Sequence, residues 1–313
     1  MKVIKVTPRG FCVGVISALQ IAVDAAYDST LPRPIYILGN IVHNRFISNS
    51  LKRLGLITIE DKSKTRLELL DTIATGTVIF TAHGVSDEVI NQAKAKGLHF
   101  INATCKYVHK TNDYIKEKIA SGYDIIYIGK KNHPEPEGAV GINPKKVHLV
   151  ENTHDLQKLL IRNEKIAITN QTTMSFWDVE ELAKLIKKTY PKAKFLNETC
   201  SATQVRQEAI LKKAIHADVT IVVGDPLSNN TNKLAHISET RANTKAYRIE
   251  NVEDINPEWF KDCKTVAVTS GASTPTAITS EVIAFLENFV YRDNNTHYQK
   301  STLNLENILP KLK

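Results

Sequence analysis

A chain of 313 residues with 42% apolar and 7% aromatic side chains can bury about one to three ordinary cores, which excludes disordered and collagen-like classes. No apolar run approaches the roughly 18 residues of a membrane span, and Met1 to Val6 goes straight into a strand-like pattern where a signal peptide would sit, so a cytoplasmic protein without membrane attachment is expected. Lys and Arg outnumber Asp and Glu by 41 to 33, and the resulting +8 is spread along the chain without a basic block, which favours anionic ligands or acidic partners over nucleic acid.

In chain order, the pattern predicts a strand from Val3 to Thr7, then Cys12 and a helix with Val15, Ile16, Leu19, Val23 and Ala26 at helical spacing. A strand from Ile35 to Gly39 runs into a loop from Asn40 to Asn44 that carries His43, and a strand from Val78 to Thr81 leads to Ala82-His83-Gly84. After Phe100-Ile-Asn-Ala-Thr-Cys105 the succession starts again. It brings a helix with Tyr114, Ile115 and Ile119, a strand from Ile125 to Gly129, and a loop from Asn132 to Gly138 that holds His133, Glu135 and Glu137. The strand from Ile166 to Thr169 then precedes Asn170-Gln171-Thr172-Thr173. Phe195-Leu-Asn-Glu-Thr-Cys200 opens a third round, with a helix at Ala209, Ile210, Ala214 and Ile215, a strand from Thr220 to Gly224, and a loop from Ser228 to Asn232. Its last strand, Val266 to Thr269, meets Ser270-Gly271-Ala272-Ser273.

Cys12, Cys105 and Cys200 stand 93 and 95 residues apart, so one strand-helix-strand-loop-helix-strand unit is used three times. This grammar demands parallel sheets with functional loops at the carboxyl ends of the strands. The expected fold is α/β: three pseudo-threefold-related small domains with parallel sheets around a central cluster cavity. The repeats are expected at 14–104, 105–199, and 200–286 together with 1–13, the first strand joining the third repeat; 287–313 is read as a C-terminal arm across the surface.

A lone cytosolic cysteine is most often a small buried side chain. Three thiols at one position of three repeats, each near a helix N-terminus where the dipole favours thiolate, read as a metal site with three protein ligands. Softness points to iron-sulfur or zinc. Loops rich in hydroxyls, amides and imidazoles suit a large anion beside the metal and favour a [4Fe-4S] cluster whose fourth iron lacks a protein ligand. Cys263 falls outside the pattern and is read as structural. Seven histidines have no repeat partner and read as surface or capping residues, whereas His43, His83 and His133 stand in strand-end loops, joined in the third repeat by Ser228, Asn230 and Ser273. Neutral donors without an arginine cluster fit a diphosphate held by many hydrogen bonds. Glu135 is the candidate acid, and Thr172 could relay a proton or orient a substrate hydroxyl, against the plainer reading of a helix cap.

These residues resemble the 4-hydroxy-3-methylbut-2-enyl diphosphate reductase (IspH/LytB) family over nearly the whole chain. The resemblance rests on Pro8-Arg-Gly-Phe-Cys12, Gly39-Asn-Ile-Val-His43-Asn44, Ala82-His83-Gly84, Ala103-Thr-Cys105 and His133-Pro-Glu135-Pro-Glu137-Gly138. It continues through Gln171-Thr172-Thr173, Cys200 with Arg206-Gln-Glu-Ala209, Ser228-Asn-Asn230 and Gly271-Ala-Ser273. It implies a two-electron reductive dehydroxylation of (E)-4-hydroxy-3-methylbut-2-enyl diphosphate to isopentenyl and dimethylallyl diphosphates, in the methylerythritol phosphate route to isoprenoids. By the resemblance Cys12, Cys105 and Cys200 hold the cluster, and an open iron takes the substrate hydroxyl. His43, His83, His133, Ser228, Asn229, Asn230 and Ser273 bind the diphosphate, Glu135 delivers the proton and Thr172 positions the hydroxyl. The sequence departs from the family pattern at Asn102, at Lys106 and at Asn229, where a second serine is usual; an amide donates to phosphate as a hydroxyl does.

The absence of a nicotinamide fingerprint and the positive charge point to an acidic ferredoxin or flavodoxin as electron donor. Two rivals share features of this plan. A quinolinate-synthase-like [4Fe-4S] dehydratase has three similar domains and three cysteines, but the His-Pro-Glu-x-Glu-Gly segment and the Thr-Thr pair favour the reductase. A non-catalytic iron-sulfur sensor of nucleic acid would need a basic recognition helix, and none is evident.

Overall fold

The computed structural model describes residues 1–304 and 308–309. The first stretch runs β1 (Lys2–Lys5), α1 (Val13–Tyr27), β2 (Ile35–Leu38), α2 (Arg45–Arg53), β3 (Ile57–Ile59), α3 (Arg66–Asp71), β4 (Thr77–Phe80), α4 (Asp87–Ala95) and β5 (His99–Asn102). The second runs α5 (Lys106–Ala120), β6 (Asp124–Ile128), α6 (Pro134–Val140), β7 (Val147–Val150), α7 (Thr153–Lys158), β8 (Ile166–Asn170), α8 (Phe176–Thr189) and β9 (Lys194–Phe195). The third runs α9 (Ser201–Ala214), β10 (Val219–Val223), α10 (Asn229–Thr240), β11 (Lys245–Ile249), β12 (Thr265–Ser270) and α11 (Thr276–Asn288).

The strands form three four-stranded sheets, ordered β3-β2-β4-β5, β7-β6-β8-β9 and β1-β12-β10-β11, and every pairing in them is parallel. The two inner strands of each sheet are rich in β-branched side chains, most fully in Val219-Thr-Ile-Val-Val223, and nearly all their side chains are buried, on both faces. Parallel strands flanked by helices on either face require that composition. β1 pairs with β12 in the register Lys2 to Thr265 through Lys5 to Val268, so the N-terminal strand completes the sheet of the last repeat.

Each sheet has one strand more than the sequence grammar of three per repeat. The additions are β3, β7 and β11, which lie at sheet edges and mix buried residues such as Val147, Val150 and Ile249 with half-buried and exposed ones. Short edge strands need no unbroken apolar run, so their sequences carry little strand signal.

By density of packing the chain divides into two compact units. One comprises Met1–Ile16, His43–Ser50 and the described residues from Ser201 on, and holds the sheet β1-β12-β10-β11. Its core gathers Ile221, Val223, Val266, Val268, Ile278, Val282, Leu286 and Phe260. α11 continues through Asn288, and Phe289 is buried in this core with His297 stacked on its ring at 5.2 Å. Of the arm expected at 287–313, residues 305–307 and 310–313 lie outside the described residues. The other unit comprises Ser17–Val42 and Leu51–Cys200 and holds the two remaining sheets, with cores around Phe80 and Val78, around Ile168 and Val179, and around Tyr127 and Ile125. Among the described residues no helix is long and apolar enough to cross a membrane.

Ile221 is fully buried at the centre of β10. Ile221→Ala should lower the unfolding free energy by about 2–5 kcal/mol in denaturant titration, whereas Leu160→Ala, at a side chain 80% exposed, should stay within about 0.5 kcal/mol of wild type.

Candidate active site

The three repeated cysteines share one backbone bond. The Cys105 amide donates to the Ala82 carbonyl at 3.0 Å, the Cys200 amide to the Thr172 carbonyl at 3.0 Å, and the Cys12 amide to the Ala272 carbonyl at 3.2 Å. Each acceptor lies in the loop after an inner strand, β4, β8 or β12 in turn, and each cysteine immediately precedes a helix. The sequence offset of Cys12 from its strand is longer because Val6 to Phe11 intervene, yet the bond is the same. Cys12 Sγ accepts the Val15 amide at 3.4 Å. Cys263 behaves oppositely: its thiol donates to the Thr265 carbonyl at 3.4 Å, and burial, with Asp218 adding to it, pushes the thiol up to about 11.

In the unit that holds β6 and β8, Glu135 and Thr172 meet. The Thr172 amide donates to Glu135 Oε1 at 2.7 Å, and the Thr172 hydroxyl donates to Oε2 at 3.1 Å. Glu135 is 3% exposed and Thr172 4%. Burial pushes the Glu135 carboxyl up to about 7, against the opposing pull of the Thr172 amide and hydroxyl and of the Tyr127 phenol. A carboxyl poised there exchanges a proton readily near neutral pH. Thr172 is also one hydrogen bond from Cys200 through its carbonyl. It does not cap a helix, because Ser175 accepts the Asp178 amide as the N-cap of α8.

In the segment read as a loop from Asn132 to Gly138, the residues from Pro134 on instead belong to α6. His133 is its N-cap, with Nδ1 accepting the Glu135 amide at 3.1 Å, and Pro134 sits at the first helical position, where a missing N–H costs nothing. Since Nδ1 is an acceptor, the His133 proton is on Nε2, which makes that nitrogen a donor. The His83 ring stands edge-on to His133, with centroids 5.2 Å apart. Glu137, two residues further along α6, turns the other way: its Oε1 accepts the Arg66 amide at 2.6 Å and so satisfies the start of α3. The sequence assigned no role to Tyr127, and it offered Gln171 only as part of the Gln171-Thr172-Thr173 motif. Gln171 Oε1 accepts the Lys130 amide at 2.9 Å and its Nε2 donates to Thr173 Oγ1 at 3.0 Å, tying the loop after β8 to the end of β6.

The unit that holds β10 and β12 gathers a second set of polar groups. The segment from Ser228 to Asn232, also expected as a loop, is the N-cap and first turn of α10, with Ser228 Oγ accepting the Thr231 amide at 3.3 Å. Ser273 Oγ donates to the His43 carbonyl at 3.1 Å and lies 3.4 Å from Ser228 Oγ. Asn230 Oδ1 accepts the Ala272 amide at 3.0 Å, which leaves its buried Nδ2 with no partner among the described residues. A buried amide donor at a helix N-terminus, beside Ser228, Asn229 and Ser273, can accept an anion. Gly271 is required here: a Cβ on it would fall 2.2 Å from Thr231 Oγ1.

The sequence profile of the LytB protein family matches residues 3–287. A 4-hydroxy-3-methylbut-2-enyl diphosphate reductase from Geobacillus sp. (strain WCH70) is 56% identical over 313 residues, 100% of this chain and 99% of the relative. The structure of the E-1-hydroxy-2-methyl-but-2-enyl-4-diphosphate reductase from Plasmodium falciparum superposes with a TM-score of 0.85 at 34% identity, covering 93% of this chain and 89% of that one. A structure described as (E)-4-hydroxy-3-methyl-but-2-enyl diphosphate reductase, the terminal enzyme of the non-mevalonate pathway, gives a TM-score of 0.64 at 33% identity, over 92% of this chain and 100% of that one.

The raised Glu135 carboxyl has a stability consequence of definite sign. The folded state holds this proton more tightly than the unfolded chain, so the contribution is fully present below about 4.5 and is lost as pH rises through about 7. Glu135→Gln, which matches the protonated acid in shape and in hydrogen bonding to Thr172, lacks that dependence. Its stability relative to wild type should therefore increase across this window by on the order of 1–3 kcal/mol, measured by denaturant unfolding at a series of pH values; a difference constant with pH would show that the carboxyl titrates normally.

Proposed function

The chain belongs to the LytB family, and we infer that it reduces (E)-4-hydroxy-3-methylbut-2-enyl diphosphate to isopentenyl and dimethylallyl diphosphates in the methylerythritol phosphate route. The allylic C–O bond breaks, a C–H bond forms, two electrons and two protons are consumed, and water leaves. The observation that carries this reading is the identical amide-to-carbonyl bond at Cys12, Cys105 and Cys200. Three soft donors held alike, one already accepting a backbone N–H at sulfur, fit a [4Fe-4S] cluster with three protein ligands. When bound, such a cluster supplies the electrons and a Lewis-acid iron that weakens the C–O bond.

The chain's own groups do the rest. Glu135 is the acid, protonated through burial below about 7, and its hydrogen bond to the Thr172 hydroxyl gives the proton a route outward. Thr172 then orients the leaving hydroxyl. The diphosphate is assigned to His43, His83, His133, Ser228, Asn229, Asn230 and Ser273, and the unpartnered Nδ2 of Asn230 supports that assignment. His133, with its proton on Nε2, donates without carrying a charge that would need a counter-ion. The +8 of the chain favours an acidic ferredoxin or flavodoxin as the electron source in a cytoplasmic setting. The division into repeats at Cys105 and Cys200, with 1–13 joined to the last, belongs to the same reading.

Iron and sulfide counts on anaerobically prepared protein test it. Serine at Cys12, Cys105 or Cys200 should abolish the cluster while Cys263→Ser keeps it; equal iron loss in all four variants would refute the ligand assignment. Glu135→Gln should retain cluster and substrate affinity while turnover falls by about two to four orders of magnitude. Glu137→Gln should lose far less, because Glu137 faces the Arg66 amide.

A further inference from the structure

Tyr127 is the fourth residue of β6, fully buried among Ile115, Ala139, Val147 and Ala167. A buried phenol needs an acceptor, and the partner of this one is Glu135 Oε1, at 3.5 Å. The ring passes beneath α6 through a gap that depends on Gly129: a Cβ there would lie 2.9 Å from Tyr127 Cε1 and 2.9 Å from Pro136 Cγ. Oε1 thus receives two donors, the Thr172 amide and the phenol, while among the described residues Oε2 is hydrogen-bonded to the Thr172 hydroxyl alone. The amide and the hydroxyl differ in one respect. An N–H cannot accept a proton, whereas the Thr172 Oγ1 can donate or accept.

We propose that Tyr127 is a positioning residue for Glu135: its phenol, with the Thr172 amide, occupies Oε1 and confines the transferable proton to Oε2, the oxygen in contact with the Thr172 hydroxyl. The proposal rests on the reading of Glu135 as the acid. Burial, then the neighbouring carboxyl, hold the phenol well above its ordinary range, so it stays a donor throughout the working pH. The other titratable groups about Glu135 are His133, whose Nδ1 accepts the Glu135 amide, and His83, edge-on to His133. On α6 itself Glu137 is directed to Arg66 in α3. Neither imidazole donates to the carboxylate in the hydrogen bonds that fix it, so the phenol is the one titratable side chain hydrogen-bonded to Glu135 among the described residues.

The test is the pH profile of turnover by the cluster-loaded enzyme. Tyr127→Phe keeps the ring and its packing but removes the donor that favours the ionised carboxyl, so the alkaline limb, expected near about 7 in the wild type, should move up by roughly half a pH unit. Site-specific 3-fluorotyrosine at position 127, a stronger donor, should move the limb down. KM should stay unchanged in both, because the phenol touches no substrate. Packing damage alone lowers kcat without shifting the limb in opposite directions. Glu135→Gln is measured alongside. If it is inactive and the limb stays fixed in both Tyr127 variants, the positioning role is wrong and the acid assignment survives; if it turns over at the wild-type rate, the acid assignment fails and the role of Tyr127 with it.

Discussion

A carboxyl shut off from water takes its charge state from its neighbours, and the two oxygens of Glu135 accept from three donors, the Thr172 amide, the Thr172 hydroxyl and the Tyr127 phenol. Burial drives it toward the neutral acid, while the Thr172 amide and hydroxyl and the Tyr127 phenol pull it back toward the carboxylate. Neither influence wins outright, which leaves the group near the midpoint of its titration at neutral pH. An exposed glutamate would be fully ionised there, and one buried without donors would be too weak an acid to give up its proton. The rest of the unit serves this balance. His133 caps α6 so that Glu135 is the second residue of a helix turned inward, and Gly129 leaves room for the Tyr127 ring beneath it.

The same architecture connects acid and cysteine. Parallel strands place all their carboxyl-terminal loops at one edge of each sheet, and in every repeat a cysteine amide reaches back to the loop after an inner strand. At Thr172 one residue serves both purposes, its amide and hydroxyl on Glu135 and its carbonyl on the Cys200 amide. A shift of that loop would therefore move the acid and the candidate ligand together. Triplication makes such coupling easy to build, since each loop whose carbonyl receives a cysteine amide is free to carry a different polar side chain at the next position: His83 follows Ala82, Thr173 follows Thr172 and Ser273 follows Ala272.

What the sequence revealed follows from which signals are local. Inner strands were legible because burial on both faces forces β-branched runs, and the repeat was legible because Cys105 and Cys200 keep the same Phe-x-Asn-x-Thr-Cys context. The edge strands β3, β7 and β11 were not: one free edge relaxes the demand for apolar side chains, and unlike the opposite edges β1, β5 and β9 they do not lead into a repeated cysteine. Two helix starts have the sequence of loops. In α6 the prolines at 134 and 136 and Gly138 mimic a loop, and only the bond from the Glu135 amide to His133 reveals a capped turn; in α10 the run of asparagines after Ser228 had the same effect. Tyr127 carried no signal at all. In a buried strand of Ile and Tyr it reads as core, and its polar end acquires meaning only when α6 brings Glu135 over it.

The protonation of Glu135 can be observed directly by infrared difference spectroscopy between the wild-type protein and Glu135→Gln across the pH range. A protonated-carboxyl band present at acidic pH, fading as pH rises through about 7 and absent from the variant, is the predicted result. A carboxyl already ionised well below that pH, titrating near the ordinary glutamate value of about 4.3, would contradict the assignment of Glu135 as the proton donor.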